Sequence, residues 1–263
     1  MTAGSLLVRG REGAVSVTPR SAGWRYVTFR AARIASGGRL AVPAQGSEVC
    51  VVVIGGRCAV RAGDASWPEV GERATPFDGP PHAVYAPPGV TLEIGAVRGD
   101  VEIAIGSAPA KRGTPARHIR PAEMRREVRG SGSMERTIHH ILMEDAPAES
   151  LLVTEVVTPA GHWSSYPPHK HDTDDPPSET QLEETYYHRL RDVKGFAVQR
   201  VYTADRSLDE TMSVRDGDLV LVPRGYHTVS AAPGYELYYL NVMAGPVRKW
   251  CVTFDPEHEW LRR

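Results

Sequence analysis

The chain has 263 residues, with 31 Lys or Arg, 32 Asp or Glu and 41% hydrophobic residues. This length allows one large or two ordinary domains, and the composition is typical of a globular protein. The balanced charge argues against a nucleic-acid partner or a membrane surface.

Short runs that are rich in β-branched residues or alternate in polarity dominate the first part of the chain. Because Gly and Pro separate them, they predict antiparallel strands of a barrel or sandwich. These runs are 24–34, 49–54, 57–61, 90–97 and 101–105.

Similar strand-like runs occur later in the chain, whereas patterns typical of helices are few. A short helix is predicted at 121–128, with Pro at its first position, and a helical turn at 256–263. The later strand-like runs are 137–143, 151–157, 185–189, 196–202, 218–222 and 235–242. We therefore expect an all-β chain with an N-terminal domain at 1–110, a connection at 111–135 and a C-terminal domain at 136–263.

Four side chains in the second half have the chemistry of a metal site. His169 and His171 form an H-x-H pair, and alternation along a strand would point both to one face. Glu184 begins a later strand-like run, and His227 follows another. Three imidazoles and one carboxylate suit a divalent transition metal such as zinc, manganese, iron or nickel.

The two halves of the chain look like copies of each other. Glu48 and Glu184 are 136 residues apart, and the segments PPGVT and PRGYH, which end at Thr91 and His227, have the same spacing. Internal repetition of this kind indicates a duplicated domain. Since Thr91 stands where the second half has His227, we expect a metal in the second half only.

Two further features concern the location of the chain. The cysteines form no C-x-x-C motif, which favours a reducing compartment over a disulfide-rich scaffold. The beginning, MTAGSLLVRGREG, has no long apolar core of a signal peptide, and no apolar run is long enough to span a membrane. We expect a cytoplasmic protein.

The pattern H-x-H, then Glu, then P-x-G-x-H resembles the two motifs of the cupin barrel, and the duplication resembles a bicupin. The longer strings SSYPPHKHD, EETYYHR, GFAVQRVYT, VLVPRGYH and GYELYYLNVMAGP resemble the 5-deoxy-glucuronate isomerases of myo-inositol catabolism, relatives of the 4-deoxy-5-ketouronate isomerases. This resemblance is dense over 160–260 and thin over the first 110 residues. It implies two jelly-roll-like β-barrels with few short helices, the first a degenerate cupin without metal.

The resemblance also implies an activity. The family converts 5-deoxy-D-glucuronate to 2-deoxy-5-keto-D-gluconate, so the expected enzyme is a metal-dependent isomerase that binds a small sugar acid. Cupins often associate, which implies a homo-oligomer. Because cupins host many activities, two alternatives stay open: another cupin enzyme, such as a metal-dependent dioxygenase, and a non-catalytic cupin that binds sugar acids.

The segment between His171 and Glu184, DTDDPPSETQLE at 172–183, is longer than the usual cupin spacing. We interpret it as an acidic loop at the barrel mouth, and it makes Glu179 and Glu183 competitors for the ligand position. The strand position before Tyr186 and the repeat spacing both favour Glu184.

Alternation from Glu184 places Tyr186 and His188 on the ligand's face of the strand. Tyr186 is a candidate catalytic residue or a core residue. His188 is a candidate acid or base, since imidazole titrates near neutrality, or a partner that orients a ligand. Proton transfer and hydride shift both stay open as the route of isomerisation.

Three residues are candidates for binding the substrate. Either Gln199 or Arg200 should face inward, and Arg200 and Arg224 are the first choices to bind a carboxylate through two guanidinium nitrogens. Tyr238, or its neighbour Tyr239, is the candidate phenol for a sugar hydroxyl.

Overall fold

A computed structural model describes residues 5–11 and 13–262, and its regular structure is nearly all antiparallel β. The strands of the first part of the chain are β1 Leu7–Val8, β2 Val15–Val17, β3 Thr28–Ile34, β4 Arg39–Val42, β5 Ser47–Gly55, β6 Cys58–Ala62, β7 Ala65–Val70, β8 Ala83–Ala86, β9 Leu92–Ala96, β10 Val101–Pro109 and β11 Arg117–Ile119. The later strands are β12 Arg125–Arg129, β13 Arg136–Leu142, β14 Leu152–Thr158, β15 Trp163–Lys170, β16 Glu183–Leu190, β17 Ala197–Tyr202, β18 Asp209–Val214, β19 Leu219–Val222, β20 Tyr226–Ala231, β21 Leu237–Ala244 and β22 Thr253–Phe254. The all-β prediction is confirmed.

The helices in the described residues are short. One α-helical turn spans Pro19–Ala22, and 3-10 helices span Pro121–Glu123, Gly132–Met134 and Pro256–Arg262. The predicted C-terminal helical turn is thus confirmed as far as residue 262, and Arg263 lies outside the described residues. None of these helices has the length and apolar character needed to cross a lipid bilayer.

Four sheets stack as layers, and the three largest hydrophobic clusters of the described residues lie between them. The first half forms a six-stranded sheet, β11-β8-β5-β10-β3-β2, and a four-stranded sheet, β4-β9-β6-β7. The second half forms a seven-stranded sheet, β1-β19-β16-β21-β14-β13-β12, and a five-stranded sheet, β18-β17-β20-β15-β22. Among the described strands the two sheets of each half stay separate and do not close into one ring. One core lies within each half, and the third lies where the six- and seven-stranded sheets pack together.

The strand orders of the two halves match, which supports the duplication. The order β8-β5-β10-β3-β2 in one large sheet corresponds to β19-β16-β21-β14-β13 in the other, and β4-β9-β6-β7 corresponds to β15-β20-β17-β18. The halves are not strictly separate, however. β1, which the division at 110 assigns to the first half, pairs with β19 of the second.

The strand register corrects one detail of the repeat. Val49 lies opposite Ala86, which immediately precedes PPGVT, and Glu184 lies opposite Val222, which immediately precedes PRGYH. The match of Thr91 with His227 therefore stands, but the counterpart of Glu184 is Val49 and not Glu48. A single slip of register moves a side chain to the other face of a strand, so identity at a fixed offset was misleading here.

Glu48 corresponds instead to Glu183, and the two carboxylates make equivalent contacts. Glu183 accepts hydrogen bonds from the backbone N–H groups of residues 25–27, at 2.6–3.0 Å, just before β3. Glu48 accepts hydrogen bonds from the N–H groups of residues 149–151, at 2.6–2.9 Å, just before β14. Each half thus anchors the chain that enters the other half's large sheet, and because these N–H groups bind Glu183, the strand predicted from 24 begins only at Thr28.

The segment between the halves also differs from its prediction. Only Pro121–Glu123 is helical, and the rest of the predicted helix belongs to β12, which pairs with β13. Its charged residues alternate, so that Arg125, Glu127 and Arg129 share one face and bond to one another. β11 pairs with β8 of the first half, so the connection at 111–135 adds a strand to each half.

We expect Glu183→Gln to lower the free energy of unfolding by about 2 kcal/mol, because buried backbone donors lose a charged acceptor. Denaturant unfolding measures the change. Glu93→Gln is the matched control, since Glu93 pairs with Arg61 on the surface, and it should change stability by less than about 0.5 kcal/mol. Equal destabilisation by both substitutions would contradict an anchoring function for Glu183.

Candidate metal centre

Two sheets of the second half bring the four predicted ligands together. His169 lies near the end of β15, directly opposite His227 of β20, and His171 follows β15. Glu184 lies near the start of β16 in the seven-stranded sheet, so it faces the imidazoles from the opposite wall. All four side chains are buried.

Their geometry meets the requirement for sharing one ion. Ligand nitrogens of His169, His171 and His227 lie within 4.8 Å of one another. A carboxylate oxygen of Glu184 lies 3.0 Å from Nε2 of His171 and 3.2 Å from Nε2 of His227. Two nitrogens that bind one tetrahedral ion at about 2.1 Å are separated by roughly 3.4 Å.

The hydrogen bonds of the imidazoles favour a cation between them. Nδ1 of His171 bonds to the carbonyl oxygen of Leu182 at 3.1 Å, and Nδ1 of His227 bonds to that of Gly225 at 3.1 Å. A carbonyl oxygen can only accept, so each Nδ1 carries the hydrogen, and each ring in its neutral form presents an Nε2 lone pair. Those lone pairs face the Glu184 carboxylate, and Nε2 of His227 is buried without a hydrogen-bond partner. A divalent cation fits this donor set.

Burial and the close approach of the four side chains shift the pKa values at the site. Burial, together with the neighbouring imidazoles of His227 and His171, lowers the pKa of His169 well below its usual value, so that it presents a free lone pair. Burial alone would raise the pKa of Glu184, but the adjacent imidazoles of His171 and His227 lower that pKa to about 2. The fourth ligand is therefore a carboxylate at neutral pH.

The two competing carboxylates are engaged elsewhere. Glu183 binds the backbone before β3, as described above. Glu179 accepts hydrogen bonds from Lys170 and from the backbone of Asp172. Of the three candidates, Glu184 is the one whose carboxylate faces the histidines.

A second group of possible donors consists of Asp255, Glu257 and His258. Asp255 already accepts hydrogen bonds from the Tyr202 hydroxyl, at 2.5 Å, and from the Glu257 backbone, at 3.0 Å. Glu257 is exposed. This group needs no ion to satisfy its polar atoms.

A cavity of about 70 Å³ between the two sheets opens beside the histidines. Alternate residues of the seven-stranded sheet form most of its wall, because that face of the sheet points towards the five-stranded sheet. Its wall includes Arg129, Arg136, Ile138, His140, Thr154, Val156, Ser165, His169, Glu184, Tyr186, Tyr239, Asn241 and Trp250. A second cavity of about 250 Å³ adjoins it, and Arg129, Arg136, His169 and Trp250 belong to both walls.

The two candidate catalytic residues lie in different places. Tyr186 lines the cavity, and its hydroxyl is 2.9 Å from Oγ of Ser165. His188 is fully buried and is not among the residues that line the cavity. Its Nε2 is 2.8 Å from the side-chain oxygen of Gln199, and burial lowers its pKa to about 4. The placement of His188 in the reaction cavity was wrong.

The three candidate substrate-binding residues also lie outside the cavity. Arg200 points to the surface and pairs with Asp209 at 2.8 Å, while its neighbour Gln199 faces inward. Arg224 is exposed in the turn before β20. Tyr238 faces the other side of its strand, where its hydroxyl donates to Glu155 at 3.0 Å, and Tyr239 takes the cavity position. These three assignments are corrected.

Sequence reasoning missed the cationic part of the cavity wall. Arg136, Ile138 and His140 alternate along β13 and face the cavity together. The alternating pattern R-x-I-x-H at 136–140 is visible in the sequence. Arg129 joins this wall from β12.

Known proteins resemble the chain over nearly all of its length. A model of the KduI/IolB family matches residues 3–261. A protein of Geobacillus kaustophilus named 5-deoxy-glucuronate isomerase is 52% identical over 248 residues, which are 94% of this chain and 90% of the relative. The protein of the same name from Bacillus subtilis strain 168 is 44% identical over 247 residues, covering 93% and 91%.

Solved structures agree with the fold. The crystal structure of an IolB-like protein from Salmonella typhimurium superposes with a TM-score of 0.96 at 44% identity, covering 99% of this chain and 100% of the other. Oxalate decarboxylase from Lactobacillus farciminis superposes with a TM-score of 0.69 at 14% identity, covering 97% and 89%. The second likeness shows a shared cupin fold and nothing of the activity.

We expect His169→Ala and His227→Ala each to reduce bound metal to below about one-tenth of the wild-type content, because each removes one ligand of the ion. Elemental analysis of purified protein measures the content, with circular dichroism as the check on folding. Thr91→Ala, at the counterpart of His227 in the first half, should retain full metal content. An equal loss in the Thr91 variant would contradict a single site in the second half.

Proposed function

The chain belongs to the KduI/IolB family, and we infer that it is a 5-deoxy-glucuronate isomerase. Such an enzyme converts 5-deoxy-D-glucuronate to 2-deoxy-5-keto-D-gluconate, an aldose–ketose change within inositol degradation. The observation that carries this function is the 44% and 52% identity to relatives of that name, over 93% and 94% of the chain.

The proposed cofactor is one divalent transition metal ion, held by His169, His171, Glu184 and His227. Zinc, manganese, iron and nickel all accept imidazole and carboxylate donors. When bound, such an ion polarises the substrate carbonyl as a Lewis acid. The hydrogen bonds from Nδ1 of His171 and His227 to backbone carbonyls orient these rings for the ion in advance.

Tyr186 is the proposed proton donor to a substrate oxygen. Burial, reinforced by the charge of Glu184, raises its pKa well above the usual value, so the phenol stays protonated at neutral pH. Ser165 holds the Tyr186 hydroxyl from the facing sheet and has φ 49°, in the left-handed region that a non-glycine residue rarely adopts. The serine backbone is thus shaped around this contact.

His188 supports Tyr186 rather than acting on the substrate. Its ring stacks beside that of Tyr186, with centroids 6.0 Å apart, and it lies 6.0 Å from the ring of Tyr239. Since burial lowers its pKa to about 4, the imidazole is neutral at pH 7 and is not an imidazolium acid. Its function is to fix the rings that line the cavity.

The proposed function also concerns the partners of the enzyme, its location and its oligomeric state. A small sugar acid is the proposed partner, with neither nucleic acid nor membrane involved, and the enzyme is proposed to act in the cytoplasm. We also propose a homo-oligomer, in line with other cupins.

The direct test supplies metal-loaded protein with 5-deoxy-glucuronate and follows the sugar by NMR, with dissolved oxygen recorded in parallel. We expect the ketose acid to accumulate without oxygen uptake, and a chelator to abolish conversion until metal is restored. Oxygen uptake with an oxidised product would identify a dioxygenase instead. Binding of the unchanged sugar would identify a non-catalytic sugar-acid protein.

Tyr186→Phe should lower kcat by about a hundredfold, the range typical of removing a general acid, while KM changes little. Steady-state kinetics with the acid substrate measures both constants. Tyr238→Phe is the control, because Tyr238 bonds to Glu155 on the opposite face of the sheet, and its kcat per folded molecule should equal that of the wild type. An unchanged kcat in the Tyr186 variant would exclude its participation.

A further inference from the structure

Arg136 is a buried guanidinium in the cavity wall, and no carboxylate of the described residues pairs with it. The residue is only 7% exposed, yet none of the ion pairs among residues 5–11 and 13–262 includes it. Burial in fact lowers its pKa. Buried charges in proteins are normally paired, because removing an ion from water is unfavourable without a counter-ion.

The local backbone holds this guanidinium in place from behind. Nη1 of Arg136 donates a hydrogen bond to the carbonyl oxygen of Met134 at 2.8 Å. That carbonyl comes so close to Gly130 that a Cβ on residue 130 would lie 2.3 Å from it and 2.8 Å from Nη1. Gly130 also has φ 82°, which favours glycine. The turn between β12 and β13 is thus built to bring Gly130 and Met134 against the arginine.

The neighbouring charges leave this part of the cavity cationic. Arg129 bonds to Glu127 at 2.7 Å and 3.0 Å, and the same carboxylate is 2.9 Å from Nε2 of His140 and 3.0 Å from Arg125. One carboxylate therefore serves two arginines and a histidine, and it makes no ion pair with Arg136. An anion at this end of the cavity would meet an excess of positive charge, whereas the carboxylate of Glu184 belongs to the part of the wall at the histidines.

The position of Arg136 relative to the metal ligands identifies that anion. Arg136 and His169 line both adjoining cavities, so a molecule that reaches the histidines occupies the same space as the guanidinium. We propose that Arg136 binds the carboxylate of the substrate, while the carbonyl end of the substrate lies at the metal ligands. This proposal rests on the isomerase function. Arg136 is then the residue that selects sugar acids over neutral sugars, in place of Arg200 and Arg224.

In the alternative, Arg136 has only a structural function and stabilises the turn through its hydrogen bond to Met134. Specificity separates the two, since a structural residue affects every substrate alike. The probes are 5-deoxy-glucuronate and the neutral 5-deoxy aldohexose, in which a hydroxymethyl group replaces the carboxylate. Wild-type kcat/KM should favour the acid by at least about a hundredfold, as expected for a charge-assisted bidentate contact.

In Arg136→Gln, the preference for the acid should fall at least about tenfold through a lower kcat/KM for the acid, while the value for the neutral sugar is retained. Arg136→Lys keeps the charge without the planar fork, and should give an intermediate preference even if the glutamine variant folds poorly. The matched control is Arg189→Gln, a largely buried arginine that pairs with Glu102 and Asp216 outside this cavity. It should lose stability and keep the preference.

An unchanged preference in both Arg136 variants, with metal content intact, would overturn the assignment. So would a wild-type enzyme that converts the acid and the neutral sugar equally well. Both results leave the isomerase function standing. A metal-loaded wild type that converts neither sugar would instead remove the proposed function itself, and the carboxylate assignment with it.

Discussion

The second half of the chain is organised around a buried carboxylate that faces two imidazole lone pairs. His171 and His227 each use Nδ1 to bond a backbone carbonyl, which leaves Nε2 of both rings directed at Glu184. Two imidazole nitrogens and a carboxylate oxygen that converge in a buried space form a donor set that suits a cation. The fold supplies the positions: opposed strands bring His169 to His227, and the facing sheet presents Glu184.

Duplication explains how this site could arise in one half only. Both halves keep the same strand order, and both use a glutamate, Glu48 or Glu183, to anchor the chain entering the other half. At the counterparts of Glu184 and His227, the first half has Val49 and Thr91. Val49 packs in the core of the first half, so hydrocarbon occupies the position that the Glu184 carboxylate takes in the second half. Both halves therefore have the anchoring glutamate, Glu48 or Glu183, whereas only the second half has a glutamate at the position of Glu184.

The sequence was sufficient to predict most of the strands and the clustering of His169, His171, Glu184 and His227, because β-branched runs and motif spacing are local signals. It was not sufficient to predict which side chains of a strand point into the cavity. The seven-stranded sheet is buried on both faces, so Tyr238 and Tyr239 look alike in sequence although only Tyr239 reaches the cavity. On β17, either Gln199 or Arg200 was expected to face inward, and Arg200 was preferred because a guanidinium suits a carboxylate, but Gln199 is the buried one. Arg136 was missed, since its environment depends on Gly130 and Met134 coming close in space.

Anomalous diffraction from crystals of the metal-loaded protein is the most direct test of this account. We expect one strong peak per chain, about 2.1 Å from imidazole nitrogens of His169, His171 and His227 and from an oxygen of Glu184. A peak at Asp255, Glu257 and His258 instead, or an ion in the first half, would contradict it.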